Sequence, residues 1–484
     1  MDLKNLLKKH FSYQEFRPGQ QEALEKLRMN QPIMALMPTG SGKSLLYQFG
    51  AKTDPSSDLV LVVSPLISLM QDQTTKARAL GLTATFINSS LARDERESRM
   101  ARVQSGEFQM LFVTPERFHR PGFMEILASR KISLFAVDEA HCISLWGHDF
   151  RPDYAKLNDV RRALGEPLTL ALTATATAEV QKDIVRGLGL EGQMEVLTTG
   201  LERPALSLNV MEAYGLEEKL ECLLAELQRR PAGAVIVYFT LIETLRKASQ
   251  SLTQKGLSHL SYHGDLPPEL RRKNLKKFMQ DGNPLMLATP AFGLGIDRPD
   301  VRLLVHMEMP GSLEAYFQEV GRAGRDGAGA RGVLIYDEEQ DVAIQMEFLK
   351  WGNPEAAFLK NLYRLIASRR SELDQGGMEF LREQMSFKNR RDYRVDSGVH
   401  ILERLGCLVK SEDPFPWQAV EEPAEERIAM ERMPERLKNM NMKLLSMLRW
   451  VKGDEICRMV GVLSYFDHEA KPCGICDICR GKDL

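Results

Sequence analysis

The sequence contains no apolar run near the roughly 18 residues that a membrane-spanning helix needs. Its first residues, MDLKNLLKKHF, lack the apolar stretch and small-residue cleavage site of a secretory signal. The expectation is no membrane partner and a cytoplasmic location, nucleoid-associated if the source is bacterial. An excess of positive charge is also missing: 64 Lys and Arg face 66 Asp and Glu, for a net charge of −2. That excludes a globally basic surface, so any contact with nucleic acid must be local. Cysteine is scarce, with seven in 484 residues, and four of those lie from Cys457 onward. In a reducing compartment such clustering argues for a metal rather than disulfides, whereas Cys142, Cys222 and Cys407 read as single buried residues. Hydrophobic content of 43% and charge of 27% are those of a globular protein, and the length exceeds one core, predicting three or four domains.

The chemistry that is present sits in short, dense stretches. Residues 138–154 read DEAHCISLWGHDFRPDY and follow the apolar run ISLFAV. An Asp at a strand end can hold the water shell of Mg²⁺ while the next Glu polarises an attacking water, which singles out Asp138 and Glu139. Behind them, Trp146, His148, Phe150 and Arg151 crowd into one loop. Aromatic faces stack on bases and Arg meets phosphate, as single-stranded DNA requires, although composition alone leaves ordinary core packing open.

Upstream, FSYQEFRPGQQ (11–21) precedes a helical pattern. Tyr13, Arg17 and Gln20 offer a ring face, a cation and an amide to a purine, or else belong to a capped surface helix. The short apolar run IMALM leads into Pro38-Thr39-Gly40-Ser41-Gly42-Lys43-Ser44. A Gly-rich turn between strand and helix presents backbone N–H groups to phosphates. Lys43 would reach the β- and γ-phosphates and Ser44 would ligate Mg²⁺, although Met37 stands where the generic pattern has Gly.

Short apolar runs at 59–65, 110–114, 133–137 and 169–173 each precede a helix-like stretch. This alternation predicts a parallel sheet covered on both faces, with Lys43, Ser64, Thr114, Asp138 and Thr173 on its carboxyl rim. A second alternating block starts near 206, with strands expected at 234–239, 284–288, 301–307 and 332–336 and no second phosphate loop. In YFQEVGRAGRDG (316–327), Gln318, Arg322 and Arg325 share one face if the stretch is helical, which Gly321 and Gly324 oppose. Two Arg without a phosphate loop of their own suit an arginine finger acting on another domain's nucleotide. A solvated basic helix end is the alternative.

Taken in order, these stretches resemble the RecQ family of DNA helicases, within the wider two-domain, RecA-like helicase superfamily. FRPGQ, PTGSGKS, SPLISLMQDQ, VTPERF, VDEAHCISLWGHDFRPDY, LTATAT, YHGDL, ATPAFGLGIDRPD and YFQEVGRAGRDG carry the likeness over residues 11–327. The resemblance implies that Tyr13, Arg17 and Gln20 read adenine, and that Thr39, Gly40, Gly42, Lys43 and Ser44 hold phosphates and Mg²⁺. It gives Asp138 and Glu139 to metal and water, and Trp146, His148, Phe150 and Arg151 to a DNA-coupling loop. Gln318, Arg322 and Arg325 become the nucleotide-sensing set. Two departures stand out: Leu145 replaces the usual Gln, and VYFTLIETLRKA (237–248) lacks the Cys and Arg of the usual fourth motif. The implied activity is ATP-dependent, 3′-to-5′ unwinding of DNA in repair or recombination, by a monomer acting on single-stranded and forked duplex DNA. Implied protein partners are a single-strand-binding protein or repair proteins. A DNA-stimulated translocase with weak strand separation is the runner-up. A nucleotide-gated DNA-binding protein is the third reading, and the retention of both Lys43 and Glu139 opposes it.

At the end of the chain, C-x15-C-x2-C-x2-C spacing assigns Cys457, Cys473, Cys476 and Cys479 to Zn²⁺, with Cys457 expected on a helix and the others on a Gly-containing loop. Between, residues 350–430 predict helix, helix, helix and strand, the order of a winged helix, with Arg390, Arg391 and Arg394 near the third helix. A plain helical spacer is equally open. PFPWQAVEEPAEE (414–426) reads as a mobile acidic linker. No residues after Leu484 remain for a further DNA-binding domain, so a short form of the family is expected. The expected architecture is α/β: RecA-like motor domains at 1–205 and 206–345, a mainly helical accessory segment at 346–435, and a zinc module at 436–484.

Overall fold

Leu59–Val63 shows why this chain makes parallel sheets. All five residues are aliphatic and all are buried, as a strand covered on both faces requires. Alternate side chains enter opposite cores: Leu61 and Val63 join Leu111, Val113 and Val137 on one face, while Val60 and Val62 join Met110, Phe112 and Ala136 on the other. Each such side chain contributes about 1.5–3 kcal/mol, and a carboxylate in place of Val62 would break both the packing and the strand.

The computed structural model describes residues 2–481 except 39, 54–57, 66, 89, 145–150, 152, 294, 295, 297, 386–393, 412, 432 and 433. They form two units, Met1–Tyr336 with Trp450–Leu484, and Asp337–Arg449. In the first unit a seven-stranded parallel sheet comprises β1 Ile33–Leu36, β2 Leu59–Val63, β3 Ala84–Ile87, β4 Met110–Val113, β5 Ile132–Val137, β6 Thr169–Thr173 and β7 Glu195–Thr198. Its order is β3-β4-β2-β5-β6-β1-β7. A six-stranded parallel sheet follows: β8 Leu206–Glu212, β9 Ala234–Tyr238, β10 Leu260–Tyr262, β11 Leu285–Ala288, β12 Val301–His306 and β13 Ala330–Tyr336, ordered β10-β11-β9-β12-β13-β8. Two RecA-like domains are therefore present, as expected. Four strands that the apolar runs did not signal, β3, β7, β8 and β10, are added. β7 and β10 lie at sheet edges and are largely half-buried or exposed.

Because the strands of the first sheet run parallel, their carboxyl ends share one rim. Backbone bonds tie that rim together: Met37 N–H to Thr173 O (3.0 Å), Asp138 N–H to Val63 O (2.9 Å) and Ser64 N–H to Val113 O (3.0 Å). On the second sheet, Tyr316 of the helix Leu313–Val320 joins a chain of rings, with Tyr238 of β9, His306 of β12, Tyr316 and Trp450 in contact at 5.6, 5.1 and 4.7 Å between successive centroids. Phe317 packs on Phe466 at 5.6 Å. The C-terminal segment is thus seated on the second sheet's domain.

The unit Asp337–Arg449 contains the helices Ala356–Ser368, Arg370–Met385 and Arg394–Arg404, then β14 Leu408–Lys410 and β15 Trp417–Ala419 as an antiparallel ribbon. The order is helix, helix, helix and strand, around a core of Leu359, Leu362, Leu381, Val399, Leu402 and Phe415. Gly377, with φ of 55° and ψ of −143°, interrupts the second helix. Residues 414–426 correct the linker expectation. Phe415 is fully buried, Trp417 opens β15, and Arg370 donates to the carbonyls of both at 3.0 and 2.6 Å. The aromatic residues between the prolines are core, not spacer. Arg394 lies over the Phe358 ring at 4.8 Å, while Arg390 and Arg391 fall outside the described residues. Cys142 and Cys407 are buried as expected, but Cys222 is only half-buried.

Candidate nucleotide site and metal centre

A cleft of about 620 Å³ opens at the rim of the first sheet. It is lined by Tyr13, Arg17 and Gln20, by Gly40, Gly42, Lys43 and Ser44, by Asp138 and Glu139, and by Gln318, Arg322 and Arg325 from the second domain. The sequence-assigned groups of both sheets meet in it. Thr39 falls outside the described residues, as do Trp146, His148 and Phe150.

The phosphate-loop turn needs its glycines. Gly40 and Gly42 have φ of +81° and +82°, the left-handed region that a side chain disfavours. A Cβ at Gly42 would also lie 2.7 Å from Gln20 Nε2, and one at Gly40 would lie 2.7 Å from Arg325 Cδ. Ser44 begins the helix Ser44–Thr53, and Lys43 Nζ donates to Met37 O at 3.1 Å, folded back over the strand end. Gln20 accepts from Arg17 N–H at 2.9 Å and donates to Ser41 O and Gly42 O at 3.0 and 3.1 Å; Arg17 donates to Gly40 O. Both side chains therefore brace the loop, while the Tyr13 ring is 58% exposed and open to stacking.

Asp138 caps β5. Its Oδ1 accepts from Glu139 N–H at 3.0 Å, and Tyr154 OH donates to its carbonyl at 3.1 Å. Burial, reinforced by the neighbouring Glu139 carboxylate, pushes the Asp138 carboxyl up to about 7, with Lys43 pulling the other way. Glu139 sits at φ +49°, a strained conformation for a non-glycine residue. Its Oε2 is buried without a hydrogen bond. His141 Nδ1 lies 3.4 Å from that oxygen while hydrogen-bonded to Thr173 Oγ1 at 3.0 Å. A buried Asp138 carboxylate beside a half-buried Glu139 whose Oε2 lacks a hydrogen bond suits a hydrated dication. Arg151 donates from Nη1 to Pro65 O at 3.0 Å, which ties the end of the aromatic loop to the end of β2.

The helix Leu313–Val320 stops at Gly321, so Gln318, Arg322 and Arg325 do not share a helical face. Arg322 and Arg325 lie on the turns beyond and reach the cleft from there. Arg322 is 5% exposed and donates to Gly293 O. Arg325 donates to Ile296 O at 2.7 Å. Asp72, Gln73 and Lys76 also line the cleft and were not singled out in the sequence. The i, i+4 pair Asp72 and Lys76, joined at 2.9 Å just beyond β2, was the available signal.

The four C-terminal cysteines converge, with all sulfurs within 4.8 Å of one another. The Sγ atoms of Cys457 and Cys476 are 3.9 Å apart, close to the roughly 3.8 Å edge of a tetrahedron with 2.3 Å zinc–sulfur bonds. Cys457 is the N-cap of the helix Arg458–Tyr465 rather than a residue within it, and Cys476 caps the short helix Asp477–Arg480. Cys473 N–H and Cys479 N–H point at Cys457 Sγ and Cys476 Sγ, at 3.2 and 3.4 Å. Burial disfavours a thiolate at Cys457, but the backbone N–H groups of Cys473 and Val460, with hydrogen bonds from the Cys473 and Cys479 thiols, outweigh it and bring the thiol to about 7. Burial pushes Cys473 up to about 12. Four cysteine sulfurs gathered this closely fit Zn²⁺, which would hold them as thiolates.

The fold is that of two tandem RecA-like domains, as in helicases. Residues 17–184 match the DEAD/DEAH box helicase model and 218–327 the helicase conserved C-terminal domain. The fold is similar to that of S. cerevisiae Dbp5 bound to RNA and ADP BeF3, with a TM-score of 0.56, 19% identity, and coverage of 71% of this chain and 90% of that one. Residues 420–480 match the RecQ zinc-binding model. The chain is 37% identical over 346 residues to ATP-dependent DNA helicase RecQ of Haemophilus influenzae, covering 72% of this chain and 55% of that one. It is 38% identical over 352 residues to probable ATP-dependent DNA helicase RecS of Bacillus subtilis, covering 71% and 70%. The chain thus spans little more than half the length of the Haemophilus relative. It belongs to the RecQ family of DNA helicases.

Proposed function

We propose that the protein is an ATP-dependent DNA helicase that moves 3′-to-5′ along single-stranded DNA and opens forked duplexes in repair or recombination. The observation that carries this is the single cleft in which Lys43, Asp138 and Glu139 of one domain face Arg322 and Arg325 of the other. Tyr13 offers its exposed ring to the adenine. The Gly40–Gly42 turn and the start of the helix Ser44–Thr53 present N–H groups to the phosphates. Lys43 leaves Met37 O to meet the γ-phosphate, and Ser44 and Asp138 are the groups that would hold Mg²⁺. When bound, that ion supplies charge neutralisation at the β- and γ-phosphates. Glu139, with its free buried oxygen, orients the attacking water. Arg322 and Arg325 stabilise charge as it develops, so hydrolysis needs both domains in register. His141, bonded to Thr173, links Glu139 to the strand-end rim. Trp146, His148, Phe150 and Arg151 form the DNA-contacting loop that reports occupancy to Asp138 and Glu139. Zn²⁺ on Cys457, Cys473, Cys476 and Cys479 is structural, since four protein ligands leave no open position.

The test is ATP hydrolysis without DNA and with single strand, fork, junction and RNA, together with strand separation on a forked duplex. DNA-specific stimulation with unwinding is expected. Stimulation without unwinding would favour a translocase, and no turnover with nucleotide-dependent DNA binding would favour a nucleotide-gated binder.

A further inference from the structure

The segment between the two sheets is anchored at both ends to the chemistry. Thr199 N–H donates to Leu36 O at 3.1 Å, at the root of the phosphate loop. Gly200, at φ +66°, lies against Pro38, with 3.8 Å from its Cβ position to the proline ring. Leu201 is buried. At the other end, Arg203 Nη1 donates to Gly321 O at 3.0 Å, and Nη2 donates to Ala323 O and Gly324 O at 2.5 and 3.2 Å. Those carbonyls flank Arg322 on both sides and immediately precede Arg325.

Resting on the nucleotide-site assignment above, we propose that Arg203 is a positioning residue. It grips the turn that carries Arg322 and Arg325 and sets their distance from the phosphate loop. The chemistry suits the task. The carbonyls beyond a helix C-terminus carry partial negative charge and no intrahelical partner, and a planar guanidinium can satisfy several in a fixed fork where an ammonium acts as a point charge. Gly321 is the C-cap of Leu313–Val320, and Gly324 has φ +60°. Backbone N–H groups of the turn bond to the helix end and to β12, Ala323 N–H to Val320 O at 3.1 Å and Gly324 N–H to Val301 O at 2.9 Å, so Arg203 adds the grip on its carbonyl side. Burial holds the Arg203 guanidinium below its usual value, and three carbonyls stand where water would otherwise solvate it. Fully extended, residues 199–203 span at most about 14 Å. While the grip holds, the arginine turn is leashed to the root of the phosphate loop whatever else the domains do. Arg203 is not among the residues that line the cleft, so it acts through Arg322 and Arg325.

The experiment measures ATP turnover at saturating single-stranded DNA and Kd for a fluorescent ATP analogue. The proteins are wild type, Arg203→Ala, Arg203→Lys, Arg322→Ala and the double Arg203→Ala/Arg322→Ala. Arg203→Ala is expected to lower kcat by about 10²-fold, the cost of roughly 1 Å of misplacement, with Kd changed by less than about threefold. Arg203→Lys should recover part of the loss. The double variant should be little worse than Arg322→Ala, because both changes remove one function. Turnover near wild type in Arg203→Ala beside a slow Arg322→Ala would overturn the role of Arg203 alone. Penalties that add in the double variant, or a fall in kcat accompanied by a comparable rise in Kd, would overturn it in favour of a general structural role. Normal turnover in Arg322→Ala would overturn the nucleotide-site assignment and this inference with it. Should Arg203→Ala not fold, Arg203→Lys carries the same comparison.

Discussion

Removing the Asp477 carboxylate should loosen the C-terminal module from within. Asp477 and Arg458 form a buried pair, their side chains 9% and 7% exposed, with Arg458 Nη2 3.0 Å from Asp477 Oδ2 and Nε 3.0 Å from Oδ1. The remaining donor, Nη1, reaches Trp450 O and Val451 O at 2.6 and 3.1 Å, and Asp477 Oδ2 also accepts from Val210 N–H of β8 at 3.1 Å. Every arm is used, so Asp477→Ala strands a buried guanidinium and a strand N–H together. Breaking one side of such a pair costs about 3–5 kcal/mol. Asp477 lies between Cys476 and Cys479, so the effect concentrates on the metal loop and the helix Arg458–Tyr465. At about 1.4 kcal/mol per tenfold, amide hydrogen exchange in that helix should accelerate by between roughly 10²-fold and a few thousandfold. Exchange mass spectrometry on peptides covering 458–465 measures this directly, with the β1–β6 peptides as internal control. The double variant Arg458→Met/Asp477→Leu should cost less than either single change, since it leaves no unpaired charge. Acceleration below about tenfold in Asp477→Ala, or a double variant worse than both singles, would refute the reasoning.

Lys43→Ala should abolish ATP hydrolysis, by about 10²-fold or more, while leaving DNA binding nearly intact; turnover within a few-fold of wild type would remove the phosphate-loop assignment. Gly293→Ala places a Cβ 2.6 Å from Arg322 Nη2, so it should reproduce the kinetic defect of Arg322→Ala with ATP affinity preserved, and a normal kcat would show that Arg322 does not act from this position. Purified protein should hold one zinc, and Cys476→Ser should lose metal and DNA affinity before it loses nucleotide binding, as read by elemental analysis and filter binding; a metal-free, folded, active protein would exclude the site. Trp146→Ala and Phe150→Ala should damp DNA stimulation more than basal hydrolysis, by roughly 1–3 kcal/mol per stacked base; unfolding of these variants would mean that the rings are core.

Several parts of this protein were legible in its residue order because their chemistry is local. The phosphate loop is contiguous, so Gly40, Gly42, Lys43 and Ser44 announce a strand–turn–helix anion site without reference to the rest of the chain. Asp138 and Glu139 are adjacent at a strand end, and three of the four metal-site cysteines lie within 473–479. Uniformly apolar runs such as LVLVV mark strands buried on both faces. The edge strands β7 and β10 carry no such run, since each has little to bury. The aromatic residues of 414–426 were hidden among prolines and acids that suggest solvent.

What residue order determined, then, was the set of chemical groups, the alternation of strand and helix, and the family. Tertiary structure alone decided which groups meet. The strand order β3-β4-β2-β5-β6-β1-β7 places the ends of β1, β5 and β6 side by side although they are far apart in the chain. Only folding brings Arg325 against Gly40, folds Gln20 onto the phosphate loop rather than leaving it free, and sets Arg203 on the carbonyls around Arg322. The reason is physical. A local pattern records what one segment buries or exposes, whereas a contact between distant segments depends on packing and strand register that no short stretch encodes.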